Sequence, residues 1–393
     1  MHLFDRIGDE YEQIVVCHAP EVGLRAIIAV HSTVLGPALG GTRFYPYRSE
    51  DQAMEDVLRL ARGMTYKSAV AGLDLGGGKA VILGDATRDK SEALLRAYGR
   101  FIETLSGRYI TAEDVGTTQP DMDVIFQETP NVSGISGAFG GSGDPSAATA
   151  YGLWWAMKAV RRDLDSTEDL AGCRIVVCGV GKVGSHLVAH LVEEGAKVTV
   201  ADVNDTAVAR MVTQHAEHGV TPVSVQEAHQ VGCDIFSPCA LGGTLNDTTI
   251  AQLNCRGVVG SANNQLATPE DGRRLADRGI VYAPDFVVNS GGVINIAEEL
   301  AGGDRGYDKK RAYANVRGIF DTTLRVIDAS RQRGVTTNEV AEDMAQERIA
   351  KEESGGGGGV RCFDGTARRR MRAVSSKQST PGPDPLLGGV APG

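Results

Sequence analysis

The chain has 393 residues, enough for two domains that each bury a core of their own. Its composition, with 42% hydrophobic and 23% charged residues, is ordinary for a soluble globular protein, and a formal net charge of -10 argues against a nucleic-acid binder. The first residues carry no signal-peptide core, and no apolar run is long enough to span a bilayer. We therefore expect a cytoplasmic protein without membrane or nucleic-acid partners.

The seven cysteines do not have the paired spacing of metal ligands. Cys173, Cys178, Cys233 and Cys239 lie in or beside apolar, strand-like runs. We interpret them as small buried hydrophobic residues in a reducing compartment, and we predict no metal site.

The first third of the chain mixes strand and helix patterns. We predict strands over residues 24–30 and 109–112 and helices over residues 50–60 and 91–105. A loop rich in glycine and serine follows at 134–143, and the Asp-Pro-Ser sequence at 144–146 predicts a helix over 145–161. We place a domain boundary at this loop, so that residues 1–144 form the first domain.

From residue 174 onward, predicted strands alternate with helices. The strands cover residues 175–178, 197–201, 233–236, 257–259 and 280–282, and the clearest helix covers 182–194. This alternation predicts a parallel, doubly wound sheet in a second domain, residues 145–324. Long helices are predicted over 308–333 and 337–351, and we expect the part from about 325 to 353 to pack back on the first domain.

The composition changes at residue 354. Residues 355–359 are all glycine, and the remainder is rich in Arg, Ser, Pro and Gly without apolar periodicity, which predicts disorder over 354–393. The basic cluster at 368–370 is interpreted as part of a solvated tail rather than as an anion-binding site.

A dinucleotide-binding motif stands at the start of the second domain. Gly179, Gly181 and Gly184 match Gly-x-Gly-x-x-Gly, after an apolar strand and at the start of an amphipathic helix, the context that gives the motif meaning. Gly179 would make the tight turn, Gly181 would admit the pyrophosphate, and Gly184 would let helix and strand pack closely. The predicted cofactor-binding turn also contains the intervening Val180, Lys182 and Val183.

The residue that follows the next predicted strand selects the cofactor. Asp202 lies near the expected distance from the glycines, where its carboxylate would accept the ribose hydroxyls and repel a 2′-phosphate. The next three residues, 203–205, offer no arginine or lysine to reverse that choice. The sequence therefore predicts NAD rather than NADP.

A lysine-rich segment at residues 62–79 contains Lys67 and, behind three glycines, Lys79. A phosphate loop is excluded because the glycine spacing fails and Ala80 stands where Ser or Thr should bind magnesium. The glycines instead indicate close backbone packing that fixes Lys79, although two solvated lysines in a glycine turn would explain the pattern as well. A lysine can hold a carboxylate, and a second cation nearby would lower its pKa towards the range of a proton acceptor.

Three further segments carry polar or flexible groups. The stretch 35–43 is expected to be a glycine turn whose N–H groups face an anion, Glu113 and Asp114 end a predicted strand, and Asn263 follows another. Simple caps and Asx turns would also account for these acids and amides.

Together these segments resemble the Glu/Leu/Phe/Val amino-acid dehydrogenase family, and within it the branched-chain subgroup. The matching blocks are 31–43, 62–79, 111–116, 143–146, 179–184, 238–243, 261–266 and 282–294, and they extend from about residue 12 to residue 352. The resemblance implies an α/β fold with an N-terminal substrate domain, a Rossmann NAD-binding domain and an active-site cleft between them, in a homo-oligomer. The tail after residue 354 departs from the family's usual ending.

The resemblance also implies roles for individual residues. Lys67, with the backbone at Gly40 and Gly41, would hold the substrate carboxylate, and Lys79 would be the general base. Asp114 would assist proton transfer. Asn263 would contact substrate and nicotinamide, with Thr149 near the nicotinamide end. The substrate side chain would meet four apolar residues: Leu39, Ala112, Val293 and Ile296.

The function implied is NAD-dependent oxidative deamination of valine, leucine and isoleucine. An uncharged pocket would leave a charged side chain such as glutamate's without a partner, and its desolvation would be costly. A phenylalanine dehydrogenase is the nearer alternative, and an inactive NAD-binding regulatory protein is the remote one. Because the neutral lysine would be the active form, deamination should increase at alkaline pH.

Overall fold

The computed structural model describes residues 7, 8, 10–355 and 361–364, which form two α/β units, each built on its own sheet. The first sheet has the order β1-β2-β4-β3-β5. Its strands are β1 (Gln13–Ala19), β2 (Leu24–Ser32), β3 (Ala38–Tyr45), β4 (Gly76–Leu83) and β5 (Tyr109–Glu113). The β1–β2 and β2–β4 pairs are antiparallel, whereas β3 is parallel to both β4 and β5. Its helices are α1 (Glu50–Val70), α2 (Glu92–Thr104) and α3 (Gln119–Phe126).

The second sheet is entirely parallel, as the alternation of strands and helices predicts. Its strands are β6 (Arg174–Cys178), β7 (Lys197–Ala201), β8 (Thr221–Pro222), β9 (Ile235–Pro238), β10 (Gly257–Val258) and β11 (Val281–Tyr282). The spatial order β11-β10-β9-β6-β7-β8 is the doubly wound order of dinucleotide-binding folds. Strands β7 and β8 are added on one side of β6 and strands β9 to β11 on the other, so the order of strand addition reverses between β6 and β9. A crevice at such a reversal is the usual ligand position of these sheets.

The remaining helices cover the second sheet and link it to the first. They are α4 (Ser146–Asp165), α5 (Lys182–Glu193), α6 (Asp205–Gln214), α7 (Asp247–Gln252), α8 (Glu270–Asp277), α9 (Asp285–Val288), α10 (Gly291–Gly302), α11 (Lys309–Arg317), α12 (Ile319–Arg333) and α13 (Thr337–Ser354). Helix α13 returns to the first unit, where Arg348 donates to the carbonyls of Ser68 and Ala69 in α1 and pairs with Asp74.

The structure differs from the sequence expectation for the lysine-rich segment. Lys67 belongs to α1, which continues ten residues beyond the predicted end at residue 60, and the three glycines before Lys79 open β4 rather than a turn. The expected glycine turn at 35–43 is likewise mostly strand, because β3 begins at Ala38. Glycine runs usually signal turns, but here two glycine-rich strands pair with each other.

The reason is a close approach of backbones that no side chain would permit. A Cβ at Gly40 would lie 1.7 Å from the carbonyl oxygen of Gly78, and a Cβ at Gly77 would lie 2.1 Å from the backbone nitrogen of Thr65 in α1. The glycines therefore let β3, β4 and α1 pack at short range, which supports the expectation that they fix Lys79 in place.

Two other expectations need correction at the C-terminal end. The single helix predicted over 308–333 is two helices, α11 and α12, which are separated at Gly318. Of the tail predicted to be disordered, Ser354 ends α13, and residues 361–364 lie against the first unit, where the N–H of Phe363 donates to the carbonyl of Gly107 at 2.8 Å. The basic cluster at 368–370 lies outside the described residues.

The cysteines largely follow the expectation of burial. Cys173 and Cys233 are buried, whereas Cys178 and Cys239 are only half-buried. Among the residues that the structure describes, none of the helices is both long and apolar enough to cross a bilayer.

The substitution Gly77→Ala tests the close packing of β4 on α1. We expect it to lower the free energy of unfolding by about 1–3 kcal/mol, because the new methyl group would overlap the backbone of Thr65. The matched control is Gly63→Ala in α1, where a Cβ meets no atom within 4 Å and alanine should stabilise the helix by about 0.5–1 kcal/mol. Denaturant unfolding measures both, and equal effects of the two variants would contradict the packing argument.

Candidate active site

A cavity of about 300 Å³ lies between the two units and brings all ten predicted catalytic and substrate-binding residues together. The predicted residues that line it are Leu39, Gly40, Gly41, Lys67, Lys79, Ala112, Asp114, Thr149, Val183, Asn263, Val293 and Ile296. They come from β3, α1, β4 and the end of β5 in the first sheet's unit, and from α4, α5, α10 and the loop after β10 in the second. The site therefore exists only where the two units face each other.

Lys79 is the most deeply buried cation of this cavity, with 5% of its surface exposed. Its Nζ lies 3.2 Å from Oδ2 of Asp114, which also accepts a hydrogen bond from Nε of Arg43 at 2.9 Å. Arg43 in turn pairs with Asp56 at 2.9 Å. Two cations and two carboxylates thus alternate along one buried chain of ion pairs.

These contacts set the protonation of the pair. Burial lowers the pKa of Lys79, and the neighbouring charge of Arg43 acts in the same direction, while Asp114 only partly offsets them. Burial disfavours the charged form of Asp114, but the charges of Lys79 and Arg43 lower its pKa overall. At neutral pH the site accordingly holds a carboxylate next to an amine that loses its proton unusually readily.

Lys67 lines the same cavity in a different environment. Its Nζ donates to Oδ1 of Asn263 at 3.1 Å, and the same oxygen accepts from Nδ2 of Asn289 at 2.9 Å. Burial lowers the pKa of Lys67 to about 8, and the charge of Lys79 contributes, against the opposing charge of Asp285. A lysine whose direct partner is a neutral amide keeps its charge available for an incoming anion.

Backbone geometry explains why Gly40 and Gly41 must be glycines. A Cβ at Gly41 would lie 2.5 Å from the carbonyl oxygen of Glu113 and 2.9 Å from Cβ of Asp114. Together with the contact of Gly40 on β4, this brings β3 against both neighbouring strands and leaves its backbone at the cavity surface.

Part of the cavity wall is apolar. Leu39, Ala112, Val293 and Ile296 are all buried and belong to one hydrophobic cluster. Since β3 and β5 provide the first two and α10 provides the others, this wall spans both units. It offers a surface for an uncharged aliphatic side chain.

The glycine motif has the geometry of a dinucleotide-binding turn. Gly179 follows β6 with φ of +109°, a conformation that favours glycine, and a Cβ at Gly184 would lie 1.9 Å from the carbonyl oxygen of Gly179. A Cβ at Gly181 would meet no atom within 4 Å, so the space above the start of α5 is open. The first turn of α5 holds no acidic residue, and its free N–H groups face that space. This donor set fits a pyrophosphate.

Asp202 and Lys182 have partners that the sequence did not indicate. The carboxylate of Asp202 accepts from the N–H of Val180 at 2.7 Å and from that of Asn204 at 2.9 Å, which leaves a lone pair on each oxygen for ribose hydroxyls. Nζ of Lys182 lies 3.1 Å from Asp144 and 3.5 Å from Glu113, so it bridges the two units.

Sequence analysis did not select three residues of the site: Arg43, Asp285 and Asn289. Arg43 is the last residue of the block 31–43, and Asp285 and Asn289 lie in the block 282–294. All three therefore belong to segments that carry the family resemblance. Asp285 is buried near Lys67 and accepts from the backbone N–H of Gln265 at 2.8 Å. Burial raises the pKa of its carboxyl group.

Comparisons with known proteins agree with this architecture. Residues 11–131 match the model of the Glu/Leu/Phe/Val dehydrogenase dimerisation domain, and residues 140–211 and 200–357 match that of the Glutamate/Leucine/Phenylalanine/Valine dehydrogenases. The chain is 54% identical over 341 residues to leucine dehydrogenase from Bacillus cereus, covering 87% of this chain and 91% of the relative. It is 50% identical over 350 residues to valine dehydrogenase from Streptomyces virginiae, covering 88% and 96%.

Among solved structures, the crystal structure of L-tryptophan dehydrogenase from Nostoc punctiforme superposes with a TM-score of 0.74 at 39% identity. The match covers 89% of this chain and 98% of that one. The two-unit architecture is therefore shared along nearly the whole length of that enzyme.

The substitution Arg43→Met tests the electrostatics of the pair. Because the charge of Arg43 lowers the pKa of Lys79, its removal should raise that pKa and move the appearance of the neutral amine to higher pH. Competitive acetylation of Lys79, followed by mass spectrometry across a pH series, measures this. The control Arg96→Met, in which the altered arginine pairs with Glu92 and Glu128 on the surface, should leave the curve unchanged. If the pKa of Lys79 were unchanged or lower in Arg43→Met, the charge of Arg43 would not be what lowers it.

Proposed function

This chain belongs to the Glu/Leu/Phe/Val dehydrogenase family of amino-acid dehydrogenases, and we propose that it catalyses the NAD-dependent oxidative deamination of branched-chain L-amino acids. The products would be 2-oxo acids and ammonia. One observation carries the proposal: two lysines in different environments face a single cavity, part of whose wall is apolar and carries no charge.

The environments of the two lysines support different roles. Lys67, whose partner is the Asn263 amide, would bind the substrate carboxylate with the help of the strand backbone at Gly40 and Gly41. The incoming negative charge would raise the pKa of Lys67 and keep it protonated. Lys79, with its lowered pKa and its fixed contact to Asp114, would be the proton acceptor.

Bound NAD would accept the hydride from the substrate's α-carbon. Neutral Lys79 would then take the proton from the water that attacks the substrate iminium, and Asp114 would stabilise the resulting ammonium. Lys79 would return that proton to the amine and would then accept the proton of the carbinolamine hydroxyl as the C–N bond breaks, so that ammonia leaves and the 2-oxo acid remains. Because neutral Lys79 starts this sequence, deamination should increase as pH rises through its pKa.

The cofactor assignment is supported by the donor set around the glycine turn. The start of α5 offers N–H groups for the phosphates, and Gly181 leaves open space beside them. A carboxylate at Asp202 would accept ribose hydroxyls and would repel the 2′-phosphate of NADP. Asn263 and Thr149, which both line the cavity, would contact the nicotinamide end of the bound cofactor.

The substrate assignment follows from the apolar wall. A carboxylate or ammonium side chain enclosed by Leu39, Ala112, Val293 and Ile296 would lose its hydration without gaining a partner. Valine, leucine and isoleucine differ from each other by at most one methylene, which is worth about 1–3 kcal/mol in such a pocket. The wall therefore selects the class rather than one member of it. We also expect a homo-oligomer, consistent with the description of the first matching model as a dimerisation domain.

The direct test is the appearance of reduced nicotinamide with valine, leucine, isoleucine, phenylalanine or glutamate as substrate, with NAD and then NADP. We expect turnover of the three aliphatic amino acids with NAD, little with NADP and none with glutamate. Lys79→Ala should lower kcat/KM by about 10²–10⁴-fold, the usual loss of a general base, whereas Lys197→Ala, an exposed lysine on β7, should have no effect. A strong preference for phenylalanine would overturn the pocket argument, and wild-type turnover in Lys79→Ala would overturn the assignment of the base.

A further inference from the structure

We infer that residues 361–364 support the rear of the substrate side-chain pocket and that Phe363 is a positioning residue for substrate discrimination. This inference rests on the proposed function, because the pocket it concerns is the apolar wall described above. It assigns a role to a part of the chain whose sequence departs from the family's usual ending.

Three contacts hold the segment in place. The N–H of Phe363 donates to the carbonyl of Gly107 at 2.8 Å, two residues before β5 begins. The guanidinium of Arg361 donates to the carbonyl of Leu35 at 3.4 Å, three residues before β3 begins, and it also pairs with Glu352 in the last turns of α13. The segment thus crosses the starts of β3 and β5, the two strands that carry Leu39 and Ala112.

The side chain of Phe363 is half-buried and packs against the hydrophobic cluster that contains the pocket wall. That cluster includes Leu39, Ala112, Val293 and Ile296, which line the cavity, together with Leu75 and Ile110, which do not. Phe363 does not line the cavity either, so the ring would act through the residues in front of it.

The ring of Phe363 limits how far the residues of the apolar pocket wall can move. Protein interiors are close-packed, and deleting a large ring leaves space into which neighbouring side chains relax. Such relaxation behind the wall would enlarge the pocket in front of it. A larger pocket should favour bulky side chains and lose contacts with small branched ones, so the ring of Phe363 would set the upper size limit of the substrate.

The test compares Phe363→Ala with Cys362→Ala, a substitution of the exposed neighbouring residue. The readout is the kcat/KM ratio for valine over phenylalanine. We expect Phe363→Ala and a chain ended at Ser354 to lower this ratio about tenfold, the lower end of what one methylene achieves in an apolar pocket, mainly through the two KM values. Cys362→Ala should leave the ratio unchanged, and Phe363→Leu, which keeps most of the apolar bulk, should restore it in large part.

An unchanged ratio in both Phe363→Ala and the shortened chain would overturn the inference. If Phe363→Ala does not fold, an unchanged ratio in the shortened chain would by itself overturn the inference. Failure of the proposed function would look different, because the wild-type enzyme itself would then fail to turn over aliphatic amino acids with NAD.

An independent observation concerns two thiols that lie just before the first residues of β9 and β10 in the second sheet. We propose that Cys233 and Cys255 are a modification site that a hydroperoxide converts into an intrachain disulfide. The strands β9 and β10 pair with Ile235 opposite Gly257, and two residues back along both parallel strands this register sets Cys233 beside Cys255. The N–H of Cys233 donates to the carbonyl of Asn254 at 3.0 Å, which holds the two segments in this register.

The surroundings of the pair suit a two-step oxidation. Cys255 is half-buried, and Cys233 is buried but borders an open groove of about 290 Å³. The neighbouring Cys233 lowers the pKa of the Cys255 thiol, and the charge of Arg278 acts in the same direction. The Cys255 thiolate would attack the peroxide O–O bond to give a sulfenic acid with release of hydroxide, and the Cys233 thiol would then displace water from that sulfur to form the S–S bond.

The test treats a Cys362→Ala variant, which lacks the exposed thiol, with hydrogen peroxide, and then alkylates the remaining thiols and maps the peptides. We expect the mass of the chain to decrease by that of two hydrogens and the number of alkylated cysteines to decrease by two. Peptide mapping should yield a cross-linked peptide that joins Cys233 to Cys255. A further Cys255→Ser substitution should abolish all three changes. The fully buried Cys17 serves as the internal control and should stay reduced. Full alkylation of Cys233 and Cys255 after peroxide, or their stepwise conversion to sulfinic acid without a link, would overturn the proposal.

Discussion

The ion pair between Lys79 and Asp114 is the interaction on which the candidate site depends. A buried ammonium without a partner costs several kcal/mol, and breaking a buried pair is correspondingly destabilising. Burial lowers the pKa of Lys79, and Asp114, 3.2 Å away, only partly offsets this because it also pairs with Arg43. The arrangement combines a fixed position with a proton that leaves easily, and the proposed role of Lys79 as a base needs both.

That ion pair exists because three backbones approach closely. The space that a Cβ at Gly41 would occupy lies 2.9 Å from Cβ of Asp114, and the corresponding space at Gly40 is filled by the carbonyl of Gly78, the residue before Lys79. The glycines that bring β5 and β4 against β3 therefore also bring Asp114 and Lys79 together. Backbone packing and side-chain chemistry follow here from the same residues, so a methyl group at either glycine would disturb both.

The sequence predicts those parts of the molecule whose signals are local. Strand β6, the turn at Gly179 and helix α5 were predicted within one residue at each end, because apolar periodicity and glycine spacing mark each boundary. The glycine-rich stretch at 35–43 predicts a turn, and the glycines before Lys79 leave a turn open beside close packing, because nothing local distinguishes a glycine that turns from one that admits a neighbouring strand. Arg43 was missed for a related reason: its contacts to Asp114 and Asp56 join β3, β5 and α1, and only the assembled sheet brings them together.

The substrate pocket adds a constraint that neither unit could meet alone. Its wall is shared between β5 and α10, so its width depends on how α10 is held against the first sheet. The carboxylate of Glu299, in α10, accepts from the N–H groups of Gly134 and Ser142 and from the hydroxyl of Ser142. Ser133, next to them, donates its own N–H to the carbonyl of Thr111 in β5 at 2.8 Å. One buried carboxylate thus helps to hold Val293 and Ile296 relative to Ala112, so polar contacts behind the wall contribute to the width of the proposed pocket.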